Sequence, residues 1–95
     1  MSDTIIRRHL IISGLVQGVG FRWRAGKAAR SVGVTGWVRN DLSGTVSMEL
    51  QGTRAQIDTV LGMLERAPWI RMENIRAREI PTEPGEYGFV TRDDG

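Results

Sequence analysis

The chain has 95 residues, 40% of them hydrophobic and 25% charged, values typical of one small globular domain, here predicted to span residues 1–95. It contains no cysteine and a single histidine, His9, which excludes a disulfide framework, a thiol nucleophile and metal sites built from cysteines or several histidines. There is no signal-peptide layout and no apolar run near the roughly 20 residues of a membrane span, so the sequence predicts a cytoplasmic protein without a membrane partner.

The net charge of +2 is unevenly distributed along the chain. Residues 1–40 carry seven basic side chains and one acidic one, for a net charge of +6, whereas residues 41–95 carry a net charge of −4. This asymmetry favours attraction of an anionic partner by the N-terminal half. A solvated basic face is the alternative interpretation.

The first predicted elements are a strand and a helix joined by a glycine-rich loop. The strand spans about residues 5–13, with Leu10 and Ile12 on one face and an exposed His9 on the other. The helix ends before Gly33, and its buried face consists of apolar residues at helical spacing: Phe21, Ala25, Ala28, Ala29 and Val32.

A hairpin and a second helix follow. Alternating residues on either side of a glycine-bearing turn predict strands at residues 35–40 and 45–50. Thr53, with Gln56 three residues later, matches a capping box, and the helix that it starts has the buried stripe Ile57, Val60, Leu61 and Leu64. The last predicted elements are strands at residues 72–80 and 87–90.

This order of elements is the split β-α-β pattern of a ferredoxin-like α+β fold. Two helices are expected to cover one face of an antiparallel sheet, with a short fifth strand at the C-terminal end. The fold hosts enzymes, RNA binders and regulatory modules, so the loops must indicate the function.

The glycine-rich loop before the first helix has the features of an anion site. Gly18 and Gly20 permit conformations in which successive backbone N–H groups converge, and Arg22 adds a fixed positive charge. The loop lacks the Gly-Lys-Ser/Thr ending of a nucleotide P-loop, and Trp23 stands where a dinucleotide fingerprint needs glycine. The sequence therefore predicts a site for one phosphoryl group, with a tight turn that binds nothing as the alternative.

Two long motifs in this region resemble those of the acylphosphatase family. The first is Gly14-x-Val16-Gln17-Gly18-Val19-Gly20-Phe21-Arg22, and the second is Gly33-x-x-Gly36-Trp37-Val38-Arg39-Asn40 with Gly44-x-Val46. The resemblance covers nearly the whole chain in element order and spacing. It implies a small hydrolase, independent of metals and cofactors, that splits acyl phosphates into a carboxylate and inorganic phosphate. A monomer is the default expectation.

The resemblance also implies roles for two side chains. Arg22 is expected to bind the phosphoryl group, and Asn40 to position the attacking water. Backbone N–H groups of the loop can hold the phosphate oxygens together with the guanidinium, which makes the predicted phosphate-binding set Gln17, Gly18, Val19, Gly20, Phe21 and Arg22. The expected partners are a small acyl phosphate and its phosphate product, with no nucleic acid.

Two other functions fit the same sequence less well. The basic N-terminal half and a sheet with one open face would suit a nucleic-acid-binding module, but the first strand lacks the aromatic residues of an RNA-recognition sheet. A phosphate-sensing module without turnover is the other alternative. Among the tryptophans, Trp37 is predicted to pack, whereas Trp23 either shapes a pocket for the acyl group or merely covers the helix.

Overall fold

The computed structural model of the protein describes residues 4–93, so residues 1–3 and 94–95 of the predicted domain lie outside the described residues. The elements are β1 (Ile6–Leu15), α1 (Phe21–Val32), β2 (Thr35–Asn40), β3 (Val46–Gly52), α2 (Arg54–Glu65), β4 (Arg71–Ile80) and β5 (Phe89–Thr91). The ferredoxin-like α+β fold is confirmed. The elements match the predicted ones with shifts of one or two residues at several ends.

The five strands form one sheet in the order β4-β1-β3-β2-β5. The pairs β4–β1, β1–β3 and β3–β2 are antiparallel, as predicted, but β5 runs parallel to β2, so the sheet is mixed. Since β1 and β2 both run antiparallel to β3, they are parallel to each other. Their C-terminal ends therefore lie at the same edge of the sheet.

The core lies between the sheet and the two helices. Leu10 and Ile12 of β1 are fully buried, as their alternation predicts. The small residues of α1, among them Ala25 and Ala29, are also fully buried and let that helix lie close to the strands. Along α2 the buried side chains follow the predicted stripe, with Ile57, Val60 and Leu64 buried and Leu61 partly so.

The two helices begin in different ways. At α2 the Thr53 hydroxyl accepts a hydrogen bond from the Gln56 N–H, and the Gln56 side chain accepts one from the Thr53 N–H, which completes the predicted capping box. At α1 the N-cap residue is Gly20, and no side chain caps the helix. Each helix has 12 residues, and no helix among residues 4–93 is long and apolar enough to span a membrane.

The sheet face opposite the helices carries a buried ionic cluster. Arg7 is only 2% exposed and donates to Glu49 (Nε to Oε1, 2.8 Å) and to Glu86 (Nη1 to Oε1, 2.7 Å). Arg7 therefore does not add its charge to a basic surface, and that part of the charge-based expectation is wrong. The second carboxyl oxygen of Glu49 lies 2.7 Å from Nδ1 of His9, which is half-buried rather than exposed as predicted.

The segment between β4 and β5 crosses this same face. Glu86 accepts hydrogen bonds from Arg7 and from the Thr35 hydroxyl, and the backbone of Glu83 exchanges two hydrogen bonds with the Gln51 side chain. These contacts tie the segment to β1, β2 and β3 before the chain enters β5. The position of β5 therefore depends on the Arg7 cluster.

Glu86→Gln should destabilise the protein at neutral pH by about 1–3 kcal/mol, because buried Arg7 loses a charged acceptor. Burial raises the pKa of Glu86, but the hydrogen bonds from Arg7 and Thr35 together lower it by more than burial raises it. The pKa of Glu86 therefore lies below its ordinary value of 4.5. A lowered folded-state pKa means that the stabilisation is complete above pH 4.5 and is lost as the pH falls below that value. Urea unfolding between pH 7 and about pH 3 should show a smaller pH dependence for the variant than for wild type.

The matched control is Glu83→Gln, at an exposed glutamate of the same segment that reaches Gln51 through its backbone. It should keep both the stability and the pH dependence of the wild type. Equal pH dependence for wild type and Glu86→Gln would contradict the assignment.

Candidate active site

The glycine-rich loop folds into the start of α1 in the way that an anion site requires. Gly18 and Gly20 have φ values of 74° and 79°, in the left-handed region that L side chains rarely adopt. Gly20 is the N-cap of α1, and its left-handed conformation turns the chain directly into the helix. The first N–H groups of a helix have no partners within the helix, and Gly20 has no side chain that could cap them. The N-terminus of α1 is therefore suited to bind an anion.

Asn40 lies at the end of β2, which pairs with the opposite side of β3 from β1. Val46 of β3 pairs with Ile12 of β1 on one side and with Asn40 of β2 on the other. The loop that leaves β1 and the end of β2 are thus brought to one edge of the sheet. Two motifs that lie 18 residues apart, at Arg22 and Asn40, meet because β3 pairs with both strands.

A cavity of about 390 Å³ lies where these elements meet. Its walls are formed by the loop, the first turn of α1 and the ends of β2 and β5: Val16, Gly18, Gly20, Phe21, Arg22, Trp23, Asn40 and Thr91. Arg22 and Asn40, the two predicted catalytic side chains, therefore line one cavity. The loop glycines line it with them.

Asn40 lines this cavity, and its side chain has an unused acceptor. Its Oδ1 atom is buried and accepts no hydrogen bond from any residue in the described range 4–93. A buried acceptor without a partner costs about 1–3 kcal/mol, so this arrangement points to a group outside the chain as the partner. Rotation about the terminal bond, which is soft in asparagine, can turn either the carbonyl or the amide toward the cavity.

Two residues of the predicted phosphate-binding set are not part of the cavity wall. Val19 is partly buried and packs against the core. Gln17 turns its side chain toward the hairpin, where Nε2 donates to the backbone carbonyls of Asp41 (2.7 Å) and Thr45 (2.8 Å). Gln17 therefore links the loop to the turn that follows Asn40.

The hairpin turn is itself held by the Asp41 carboxylate. It accepts hydrogen bonds from the hydroxyls of Thr45 (2.8 Å) and Ser47 (2.7 Å) and from Nε of Arg39 (3.2 Å). Burial raises the pKa of Asp41, but these three donors lower that pKa more, so the carboxylate stays charged well into the acid range. Arg39 is thus engaged at the turn, and its guanidinium also lies over the Trp37 ring, 5.4 Å from the ring centre.

Thr91 is a wall residue that the sequence did not indicate. The predicted closing strand ends at Val90, one residue short, whereas β5 extends to Thr91. Thr91 reaches the cavity because β5 pairs in parallel with β2, which places Thr91 opposite Val38. The sequence holds no signal for this contact, because it depends on the crossing of the segment before β5 over the sheet.

Comparison with known proteins now identifies the family. The acylphosphatase family model matches residues 8–91. The chain belongs to the acylphosphatase family. It is 50% identical over 69 residues to an acylphosphatase of Bordetella parapertussis, covering 72% of this chain and 73% of that protein. Over 81 residues it is 37% identical to an acylphosphatase of Bifidobacterium longum, covering 84% of each chain.

The fold of this acylphosphatase is also that of a solved relative. The structure of an acylphosphatase from Coxiella burnetii superimposes with a TM-score of 0.83 at 32% identity and covers 93% of each chain. The predicted family is therefore confirmed, and with it the prediction of a hydrolase that acts on acyl phosphates.

Replacing Gln17 with leucine should misplace Asn40 relative to the loop, because two hydrogen bonds across the site are lost. We expect kcat for an acyl phosphate to fall at least tenfold, as displacements of about 1 Å near reacting groups cost up to ~100-fold. The loss of two neutral hydrogen bonds should also lower stability by about 1–3 kcal/mol. Steady-state kinetics and urea unfolding measure the two effects.

Thr53→Ala provides the matched control, since it removes the α2 cap at a cost of about 1 kcal/mol. It should lower stability by a similar amount with kcat unchanged. If both variants lose activity in proportion to their loss of stability, Gln17 has no positioning role.

Proposed function

We propose that this acylphosphatase holds the phosphoryl group of its substrate with Arg22 and the backbone N–H groups of residues 17–22, of which residues 18 and 20–22 line the cavity, and that Asn40 positions the attacking water. The observation that carries the proposal is the shared cavity, to which the uncapped start of α1, Arg22 and Asn40 all contribute. Among residues 4–93, no other cavity wall combines a helix start without a capping side chain, an arginine and an unpartnered amide oxygen.

The substrate's leaving group explains why this site needs no strong acid. A carboxylic acid has a pKa of about 4, so the carboxylate departs without being protonated. The site has to supply placement and charge stabilisation instead. Phosphoryl transfer is governed by these two factors, because negative charge spreads over three equatorial oxygens while nucleophile and leaving group stay in line.

Arg22 and the helix N-terminus supply this stabilisation by complementary means. A guanidinium presents two N–H groups in a fixed fork that matches two phosphate oxygens. The N–H groups of the first turn point along the helix axis and carry the positive end of its dipole. Together they offer several donors to the equatorial oxygens and leave the remaining positions to water and the acyl oxygen.

Asn40 acts on water through its carbonyl and amide. The carbonyl accepts a hydrogen bond from the water, but an amide is not basic enough at neutral pH to remove the proton. The water oxygen bonds to phosphorus, the bond from phosphorus to the carboxyl oxygen breaks, and its electron pair leaves with the carboxylate. The water's proton passes to a phosphate oxygen, so that the dianionic acyl phosphate gives one carboxylate and one dihydrogen phosphate.

We further propose that the enzyme acts as a cytoplasmic monomer on a small substrate, without nucleic acid. All residues assigned to the cavity belong to one chain, and the absence of cysteine suits a reducing compartment as well as any other. Trp37, the aromatic residue of β2, is only 6% exposed, and the guanidiniums of Arg39 and Arg92 lie over its ring. It is therefore not available to stack on a base.

Arg22 is tested with benzoyl phosphate in the presence of EDTA. Arg22→Ala should lower kcat/KM by about 100- to 1,000-fold, the cost of losing one preorganised donor to a developing oxyanion. Arg22→Lys keeps the positive charge but loses the forked pair of N–H donors, so its kcat/KM should lie between those of the wild type and Arg22→Ala. Both variants should also bind inorganic phosphate more weakly, measured as a higher inhibition constant. Wild-type turnover in either variant would remove Arg22 from the mechanism.

Asn40 should show a different kinetic pattern. Asn40→Ala should reduce kcat by about 100-fold, since the water loses its orientation, while the inhibition constant of phosphate stays near that of wild type. Asn40→Asp should be no better, because its carboxylate repels the phosphoryl group. An Asn40→Ala variant with normal kcat but weakened phosphate binding would assign the side chain to substrate binding instead.

A further inference from the structure

A groove between the two helices adjoins the proposed phosphoryl site. It has a volume of about 230 Å³, and its walls are mainly apolar, formed by Trp23 and Ala28 of α1 and by Met63 and Leu64 of α2. Lys27 and Arg24 stand at its polar side. Along α1 the groove extends from Trp23 to Ser31, eight residues apart, which corresponds to about 12 Å of helix.

Trp23 is the residue that joins the groove to the active site. Its side chain lines both the groove and the cavity that contains Arg22 and Asn40. It is 61% exposed, although burying an indole is strongly favourable. The Lys27 ammonium lies 4.8 Å from the centre of the ring and covers part of it. Trp23 is therefore an exposed aromatic residue at the boundary between a phosphoryl site and an apolar groove.

We propose that this groove binds the acyl group of the substrate, and that the enzyme prefers acyl phosphates with an apolar or aromatic acyl group over acetyl phosphate. The proposal rests on the function proposed above. A phosphoryl group held at the start of α1 leaves the acyl part of the molecule to extend past Trp23. The groove begins at that point.

The position of the groove also fits the geometry of the reaction. In-line displacement places the water and the leaving group on different sides of phosphorus. Asn40, on β2, and Trp23, on α1, contribute to the cavity from different elements. The proposed water-positioning residue and the start of the groove therefore belong to different elements of the cavity wall.

The volume and chemistry of the groove define the substrate class. Sites for drug-sized ligands have about 300–1,000 Å³, so a groove of about 230 Å³ suits a smaller body such as a benzoyl group or a short branched chain. An acetyl group has one methyl carbon to place there. Each additional methylene buried in such a site favours binding by about fourfold, which makes the apolar acyl group the better substrate.

The experiment compares kcat/KM for benzoyl phosphate with that for acetyl phosphate in wild type, Trp23→Ala and Met63→Ser. Met63 lines the groove but not the phosphoryl cavity and is 39% exposed, so its replacement should be tolerated. The matched control is Trp69→Ala, since Trp69 is 72% exposed and lies outside both walls. Circular dichroism and thermal unfolding establish that each variant is folded.

Wild type should favour benzoyl phosphate, and the benzoyl-to-acetyl ratio should fall about tenfold in Trp23→Ala and about threefold in Met63→Ser, with no change in Trp69→Ala. A ratio that stays the same in both groove variants, while wild type hydrolyses both substrates, overturns the groove proposal and leaves the proposed function standing. A benzoyl-to-acetyl ratio that falls in Trp23→Ala but not in Met63→Ser also overturns the groove proposal, because Trp23 would then act only at the phosphoryl cavity. Failure of wild type to hydrolyse either substrate overturns both proposals.

Discussion

The side chain amide of Gln17 links the two halves of the proposed active site. The loop before α1 and the hairpin after Asn40 belong to different parts of the chain, and backbone pairing through β3 brings them only to the same edge of the sheet. Gln17 then bonds the loop to the carbonyls of Asp41 and Thr45, on the two sides of the turn. Because Nε2 satisfies both carbonyls, the loop cannot move without breaking two hydrogen bonds. The distance between Arg22 and Asn40 is therefore set by this contact as much as by the sheet.

A second network fixes the remaining wall of the cavity. The segment before β5 is tied across the open face of the sheet by Arg7, Glu86 and Gln51. It delivers β5 to the edge of β2, where Thr91 lines the cavity. Burying an arginine is costly unless its donors are satisfied, and the Arg7 guanidinium has acceptors on both β3 and the crossing segment. The cluster thus makes the position of a C-terminal residue depend on a buried charge near the N-terminus.

Most of the fold could be predicted from the sequence because its signals are local. The capping box at Thr53 and the alternation of Leu10 and Ile12 act within a few residues, and the structure has both. The parallel pairing of β5, the burial of Arg7 and the side chain role of Gln17 could not be predicted. Each depends on residues between 24 and 79 positions away, and no pattern within a short window identifies such a partner. The motifs predicted Arg22 and Asn40, which line one cavity, but the contacts that bring the two residues together are tertiary.

The two helices differ in how their N-termini are capped, and this difference matches their different roles in the fold. At α2 the orphan N–H groups of the first turn are satisfied by Thr53 and Gln56, and that end contributes only to stability. At α1 the N-cap residue is Gly20, which has no side chain to satisfy the corresponding N–H groups. Glycine in place of a capping side chain costs only roughly a few tenths of a kcal/mol, and it leaves this end of the helix open to an anion that can act as the cap. A substrate phosphoryl group bound at that position, as proposed, would cap the helix, so its binding would also stabilise α1.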